Sequence, residues 1–299
     1  MPIIGSRGAL SVRGTGFFFG RPLIVGGGSF GIFAASSSSI TDKYNYSTET
    51  VATATSLTNT ISGGCTATGN AAVGITSTGA GQTTTNKYTY TGDTVTSGSA
   101  LVVGQFEGAT AGNATLGIFC VGFDLNGSGA ASAVTNKYTY SGDVSAAGSS
   151  LTAASSQARG AVGNSTVGIL TIGNSTTTTN RYTYSNNNVV AGTNLGFAIS
   201  GGAACGNSAM GIFAQGISTT TNKYTYSGDT VVAATSLSSA MPNGGAGAGN
   251  SFYCIFGVGG SKATNKYTYA GDTVATATSL VHNLAAGVAI TNGISGVTT

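Results

Sequence analysis

Short apolar runs alternate with clusters of Gly, Ser, Thr, Asn and Asp along almost the whole chain. One recurrent run has strict period-two patterning: in "NKYTY" at 86–90, Tyr88 and Tyr90 fall on one face of an extended strand, and Lys87 and Thr89 on the other. Val, Thr and Tyr suit a pleated, half-buried surface, while Gly, Asn and Asp suit tight turns, so the pattern predicts many short β-strands. After the second Tyr comes "TGD", "SGD" or "AGD", with Asp93, Asp143, Asp229 and Asp272 as turn acceptors and the preceding glycine supplying the positive φ. The fourth copy reads "SNNNV", with Asn186 in the glycine's place.

The run recurs as "DKYNY" at 42, "NRYTY" at 180 and "NKYTY" at 86, 136, 222 and 265. The structural pairs Tyr138 with Tyr140, Tyr224 with Tyr226 and Tyr267 with Tyr269 repeat the first. Upstream, an Asn precedes a glycine by four residues: Asn70 and Gly74, Asn113 and Gly117, Asn164 and Gly168, Asn207 and Gly211. Asn250 keeps the register with Cys254 in the glycine's place, Gly27 to Gly31 keeps it without the Asn, and Asn292 to Gly296 repeats it near the C-terminus. Counted from 27, 70, 113, 164, 207, 250 and 292, the openings step by 43, 43, 51, 43, 43 and 42 residues. The long step contains "DLNGSGAA", read as a longer loop.

Each unit holds about four strand candidates, and four strands in about 43 residues is the pattern of a β-propeller blade. The glycine in an apolar second strand and the following tyrosine strand resemble kelch repeats, although the chain has no Trp and a degenerate glycine pair. The resemblance implies an all-β, kelch-like β-propeller. Six tyrosine strands and seven openings predict seven four-stranded blades, the last shared between the chain ends; six blades, with both termini as appendages, is the alternative. Residues 1–21 are read as a segment that completes the ring or docks to a partner, and 22–299 as the propeller.

Composition narrows the class. Of 299 residues, 40% are hydrophobic, 6% are charged and 3 are Pro, which permits a core and argues against disorder. The net charge of +3 comes from 11 basic and 8 acidic residues, too sparse for a nucleic-acid face. No stretch approaches the 18 apolar residues of a membrane span, and the N-terminus lacks the order of an export signal, so neither is expected. Cys65, Cys120, Cys205 and Cys254 are far apart and read as small buried hydrophobes, with a disulfide between two of them left open. With His282 as the only histidine, no metal or cofactor is expected.

In most repeats the basic residue precedes an acid by six positions, as Lys87 does Asp93, Lys137 Asp143, Lys223 Asp229 and Lys266 Asp272, which reads as a repeated scaffold pairing. Copper radical oxidases are known on kelch-like propellers and need two histidines, tyrosines and a cysteine; one histidine cannot build that site. A triad would have to use His282, read as a packed or exposed strand residue, and the chain is expected not to be an enzyme. Residues that break the repeat are the binding candidates: Glu107, Asp124, Asn126, Arg159 and Lys262. The N-terminal Arg7, Arg13, Arg21 and the run Phe17, Phe18 and Phe19 are the docking candidates.

The sparsely charged repeats, with "YTYSGDTV" and "GIFA", are similar to those of kelch-like virion proteins of tailed bacteriophages. That similarity implies a tail, fibre or capsid-associated protein for host attachment or structural support, assembled in the host cytoplasm into a larger assembly. Its partners would be other virion proteins and host surface glycans. The alternative is a lectin-like, carbohydrate-binding propeller, extracellular or at a bacterial surface.

Overall fold

The computed structural model describes residues 29–125, 129–158, 160–173, 175–199, 201–242, 244–284 and 287–291. Arg7, Arg13, Phe17, Phe18, Phe19, Arg21, Asn126, Arg159 and Asn292 lie outside them. The described residues are all-β: six four-stranded antiparallel sheets form the blades of a β-propeller. Blade 1 contains β1 (Phe30–Ala34), β2 (Thr41–Asn45) and β3 (Thr50–Ala54). Blade 2 has β4 (Ala67–Gly69), β5 (Val73–Ser77), β6 (Thr85–Thr89) and β7 (Thr94–Gly98). Blade 3 has β8 (Thr110–Gly112), β9 (Leu116–Phe123), β10 (Ala131–Thr139) and β11 (Val144–Ala147). Blade 4 has β12 (Ala161–Gly163), β13 (Val167–Thr171), β14 (Thr179–Thr183) and β15 (Asn188–Gly192). Blade 5 has β16 (Ala203–Gly206), β17 (Met210–Ala214), β18 (Thr221–Thr225) and β19 (Thr230–Ala234). Blade 6 has β20 (Gly245–Gly249), β21 (Tyr253–Val258), β22 (Thr264–Thr268) and β23 (Thr273–Ala277), and the chain ends its described course in β24 (Val288–Thr291).

The ring therefore has six blades, not seven. β24 is the inner strand of blade 1 and pairs with β1, Gly31 opposite Thr291 and Ala34 opposite Val288. The strands next to the openings at 27 and 292, β1 and β24, thus form one blade rather than two. The blade expected to be completed by residues 1 to about 20 receives its fourth strand from the C-terminal side instead. At this seam the Thr291 hydroxyl donates to Gly249 O at 2.9 Å and its carbonyl accepts Tyr90 Oη at 3.0 Å, tying blades 6, 1 and 2 together.

The core lies between blades, with one hydrophobic cluster at each of the six interfaces. Tyr90 shows how the repeat builds one. Its ring runs over Gly74, where an added Cβ would stand 2.1 Å from Ile290 Cδ1 of blade 1 and 2.8 Å from Tyr90 Oη. Any side chain there would displace both, which is why the second strand repeats a glycine. Blade 6 departs from this in a compensated way. Cys254 occupies the glycine's place, Cys205 of β16 occupies that of the facing residue, and a disulfide joins the two with their Cα atoms 6.1 Å apart. The disulfide that the sequence left open is therefore between Cys205 and Cys254, which are not the separate small hydrophobes they read as, while Cys65 and Cys120 are buried and take no part in it.

The tyrosine strands also clamp the chain between blades. Asn86 Oδ1 accepts Asn59 N–H at 2.6 Å, and Asn136, Asn180, Asn222 and Asn265 hold the corresponding crossovers. Only blade 1 carries an acid there: Asp42, 2% exposed, accepts His282 N–H at 2.8 Å and lies 2.7 Å from His282 Nδ1. His282 thus sits in a crossover and latches the seam, rather than lying in a strand as expected.

Candidate functional site on the loop face

Strand direction alternates within each blade, so the turn from inner to second strand and the turn from third to outer strand share one face of the disc. The second-to-third loops and the inter-blade crossovers share the other, here called the loop face.

Repetition dominates the turn face. Asn70 Oδ1 accepts the N–H groups of Ala72 and Val73, both at 2.9 Å, while Nδ2 donates to Ala114 O of the next blade at 2.9 Å. At the tyrosine turns the first Tyr donates to the acid five residues on: Tyr138 to Asp143, Tyr224 to Asp229 and Tyr267 to Asp272, with Asn187 taking that role for Tyr182. The left-handed residue of these turns is the acid itself, at φ 53° for Asp93 and 55° for Asn187. The preceding glycine is left-handed at Gly92 and Gly271 but is not so at every copy. The Lys and acid pairing also differs from the sequence reading, because it crosses between blades. Lys87 meets Asp143 at 3.4 Å rather than Asp93, Arg181 meets Asp229 at 4.0 Å, and Lys266 meets Glu49. A third strand's cation lies nearer the next blade's turn than its own.

The ring axis offers little room. Its loop-face end is a cavity of about 80 Å³ lined by Cys65, Thr66, Thr110, Ala161 and Ala204 among other small residues. Such a volume holds a few waters, well below the roughly 300 Å³ of a small-molecule site. Buried polar groups close its wall: Gln105 Nε2 donates to Cys120 O at 2.8 Å, and Thr66 Oγ1 donates to Gln105 Oε1 at 2.8 Å. Burial pushes the Cys120 thiol up to about 12, so it packs as a hydrophobe rather than serving as a nucleophile.

Sixfold repetition breaks on the loop face at blade 3. The long step read as a loop is instead an extended hairpin, in which β9 and β10 have 8 and 9 residues where the matching strands of blade 2 have 5. A register shift between Ser132 and Thr135 turns the extension. The crossover from blade 2 anchors its stem. Phe106 N–H donates to Val121 O at 3.0 Å, Phe123 N–H donates to Phe106 O at 2.9 Å, and the two rings meet at 6.1 Å. Gly122 is left-handed at φ 74°, and an added Cβ would lie 2.1 Å from Phe106 O.

Glu107 and Asp124 each follow one of these two phenylalanines, so the structure brings them to one corner. Leu125 leans over Gly81 of blade 2, 2.8 Å from where a Cβ would be, and remains 46% exposed. Lys262 lies in the β21–β22 loop of blade 6, across the ring, and does not join them. Sequence reasoning missed Phe106, Phe123 and Leu125. For Phe123 the signal was the apolar run "LGIFCVGF", longer than its counterparts, which makes the insertion a continued strand; Phe106 and Leu125 had none. All thirteen tyrosines are buried, so none provides an exposed stacking platform.

No protein-family model and no curated protein matches the chain. Solved structures do. A fungal alcohol oxidase of the AA5 family, in complex with copper, matches with a TM-score of 0.54 and 12% identity over 82% of this chain; the chain spans 59% of that structure's length. At this identity the likeness establishes the propeller fold. It also corrects the expectation that the chain is not an enzyme, because an oxidase works on this same fold. Copper does not fit here: no three His, Cys, Asp or Glu side chains come together among the described residues. No helix of the described residues is long and apolar enough to cross a membrane.

Proposed function

We propose that the chain is an attachment or structural component of a larger assembly, of the kind formed by tail, fibre or capsid-associated proteins of tailed bacteriophages, and that it presents the blade 3 corner to its partner. The observation that carries this reading is the extended β9–β10 hairpin, where an otherwise uniform ring acquires an exposed Leu125 beside Asp124. Recognition sits where repetition breaks, since residues repeated in every blade serve the ring. The glycine of five of the six second strands and the tyrosines of each third strand support a kelch-like reading of the repeat. Six self-similar interfaces and the disulfide suit a protein that works on a released particle. Attachment and catalysis are compatible on one ring, because propellers carry both. A lectin-like role gains no support from the buried tyrosines and the absence of Trp.

The test is localisation. An antibody against the purified chain should label particles recovered from a density gradient of native lysate, seen by immunogold electron microscopy. A chain found entirely in the particle-free fraction would overturn the proposal, and oligosaccharide binding by that free chain would favour the lectin-like role.

A further inference from the structure

Both ends of the described chain leave the turn face at blade 1. β24 runs toward that face and stops at Thr291, directly opposite Gly31 near the start of β1. The described chain therefore begins at the turn face with Ser29, and the 28 residues before it in sequence contain Arg7, Arg13, Arg21, Phe17, Phe18 and Phe19 but no acid. On the opposite face, the blade 3 corner combines Phe106, Phe123 and exposed Leu125 with the half-buried Asp124. The segment is basic and aromatic where the corner is acidic and apolar.

We infer that residues 1–28 of one copy dock on the blade 3 corner of the next copy, with the Phe17–Phe19 run against Phe106, Phe123 and Leu125, so that copies associate head to tail. This rests on the assembly role proposed above and supplies its partner class, a second copy of the chain.

Reach selects the neighbouring copy. Phe19 lies ten residues before Ser29, which spans at most about 35 Å fully extended. To reach its own loop face the segment must cross about 14 Å of blade, descend about 17 Å of strand and return about 10 Å inward. It must also travel two blades around the ring. The axial route is closed by cavities of about 80 Å³. A neighbour stacked turn face to loop face places the corner directly in front of the segment. Because donor and acceptor lie on opposite faces of the disc, two stacked copies cannot exchange segments, so the contact is heterologous and does not close after two copies.

The test is sedimentation velocity of the full chain over a wide concentration range. The donor variant carries Phe17→Ser, Phe18→Ser and Phe19→Ser, and the acceptor variant carries Leu125→Asp. Leu125 is exposed, so the ring is expected to fold, as a thermal melt verifies; Asp124→Lys is a second acceptor variant that leaves the apolar corner intact. The wild type should show mass increasing with concentration. Each variant alone should weaken association at least tenfold, and a mixture of donor and acceptor variants should form one-to-one dimers and nothing longer. A wild type that stays monomeric, or a variant that associates like the wild type, would overturn the inference. So would a monomer whose Arg7, Arg13 and Arg21 are shielded from trypsin, since that places the segment on its own ring. Particle labelling is read separately, so head-to-tail association without label would remove the attachment role and leave this contact standing.

Discussion

The second tyrosine of each repeat carries its hydroxyl into the neighbouring blade interface, and what it meets there depends on one residue of the facing inner strand. Tyr140 Oη meets Thr68 Oγ1 at 3.0 Å. In the next two interfaces the equivalent residues are Ala111 and Val162, and the hydroxyls of Tyr184 and Tyr226 have no partner. Val162→Thr is close to isosteric and places a hydroxyl where Thr68 has one. An unpartnered buried hydroxyl costs about 1–3 kcal/mol, and removing a methyl costs about 0.8 kcal/mol more. Here the new hydroxyl can pair with Tyr226 Oη, whose burial the fold already tolerates, and the bond returns about 0.5–1.5 kcal/mol while satisfying both groups. The expected outcome is a variant within about 1 kcal/mol of wild type, and a coupling of about 1–2 kcal/mol between Val162→Thr and Tyr226→Phe in a double-mutant cycle. Thr68→Val should do the reverse, leaving Tyr140 unpartnered at about 1–3 kcal/mol. Thermal melts resolve this, since 1 kcal/mol is about 2 °C for a domain of this size. If Val162→Thr destabilises equally with and without the Tyr226 hydroxyl, the account of the interface is wrong.

Three further outcomes are expected. Burial holds the hydroxyls of Tyr46, Tyr90, Tyr140, Tyr184, Tyr226 and Tyr269 above their ordinary value of 10.0, so the native state keeps protons that the unfolded chain releases. This stability is fully present below pH 10 and is lost as pH rises beyond it, by about 1.4 kcal/mol per unit and tyrosine; tyrosinate absorbance at 295 nm should rise together with loss of the β-sheet circular dichroism, and six tyrosines ionising within an intact sheet would refute it. Replacing the disulfide by Cys205→Ala with Cys254→Gly restores the small-residue and glycine pairing of the other interfaces, so the ring should still close. It should lose about 2–4 kcal/mol for a loop of 49 residues, measured by denaturant unfolding against oxidised wild type. Asp42→Asn keeps the backbone clamp used by five blades and should cost under about 1 kcal/mol, whereas Asp42→Val strands His282 N–H and should cost about 2–3 kcal/mol in the same melts.

Local chemistry made much of this protein readable from its residues. Alternation in "NKYTY" marks a strand, the acid after it marks a turn, and the 43-residue period marks a blade, because each depends on neighbours within a few positions. Glu107 and Asp124 stood out because they interrupt that period. The number of blades was not readable, because β1 and β24, at opposite ends of the described chain, belong to one sheet, and only ring closure decides which strand pairs with Gly31. The same holds for Lys87, which meets the next blade's acid, and for Cys205 and Cys254, joined across an interface. It holds also for the corner where Phe106 of one crossover meets Phe123 of another blade's hairpin. A repeat writes the same strand six times and leaves its partners unstated, since contacts between blades are set by the geometry of the closed ring.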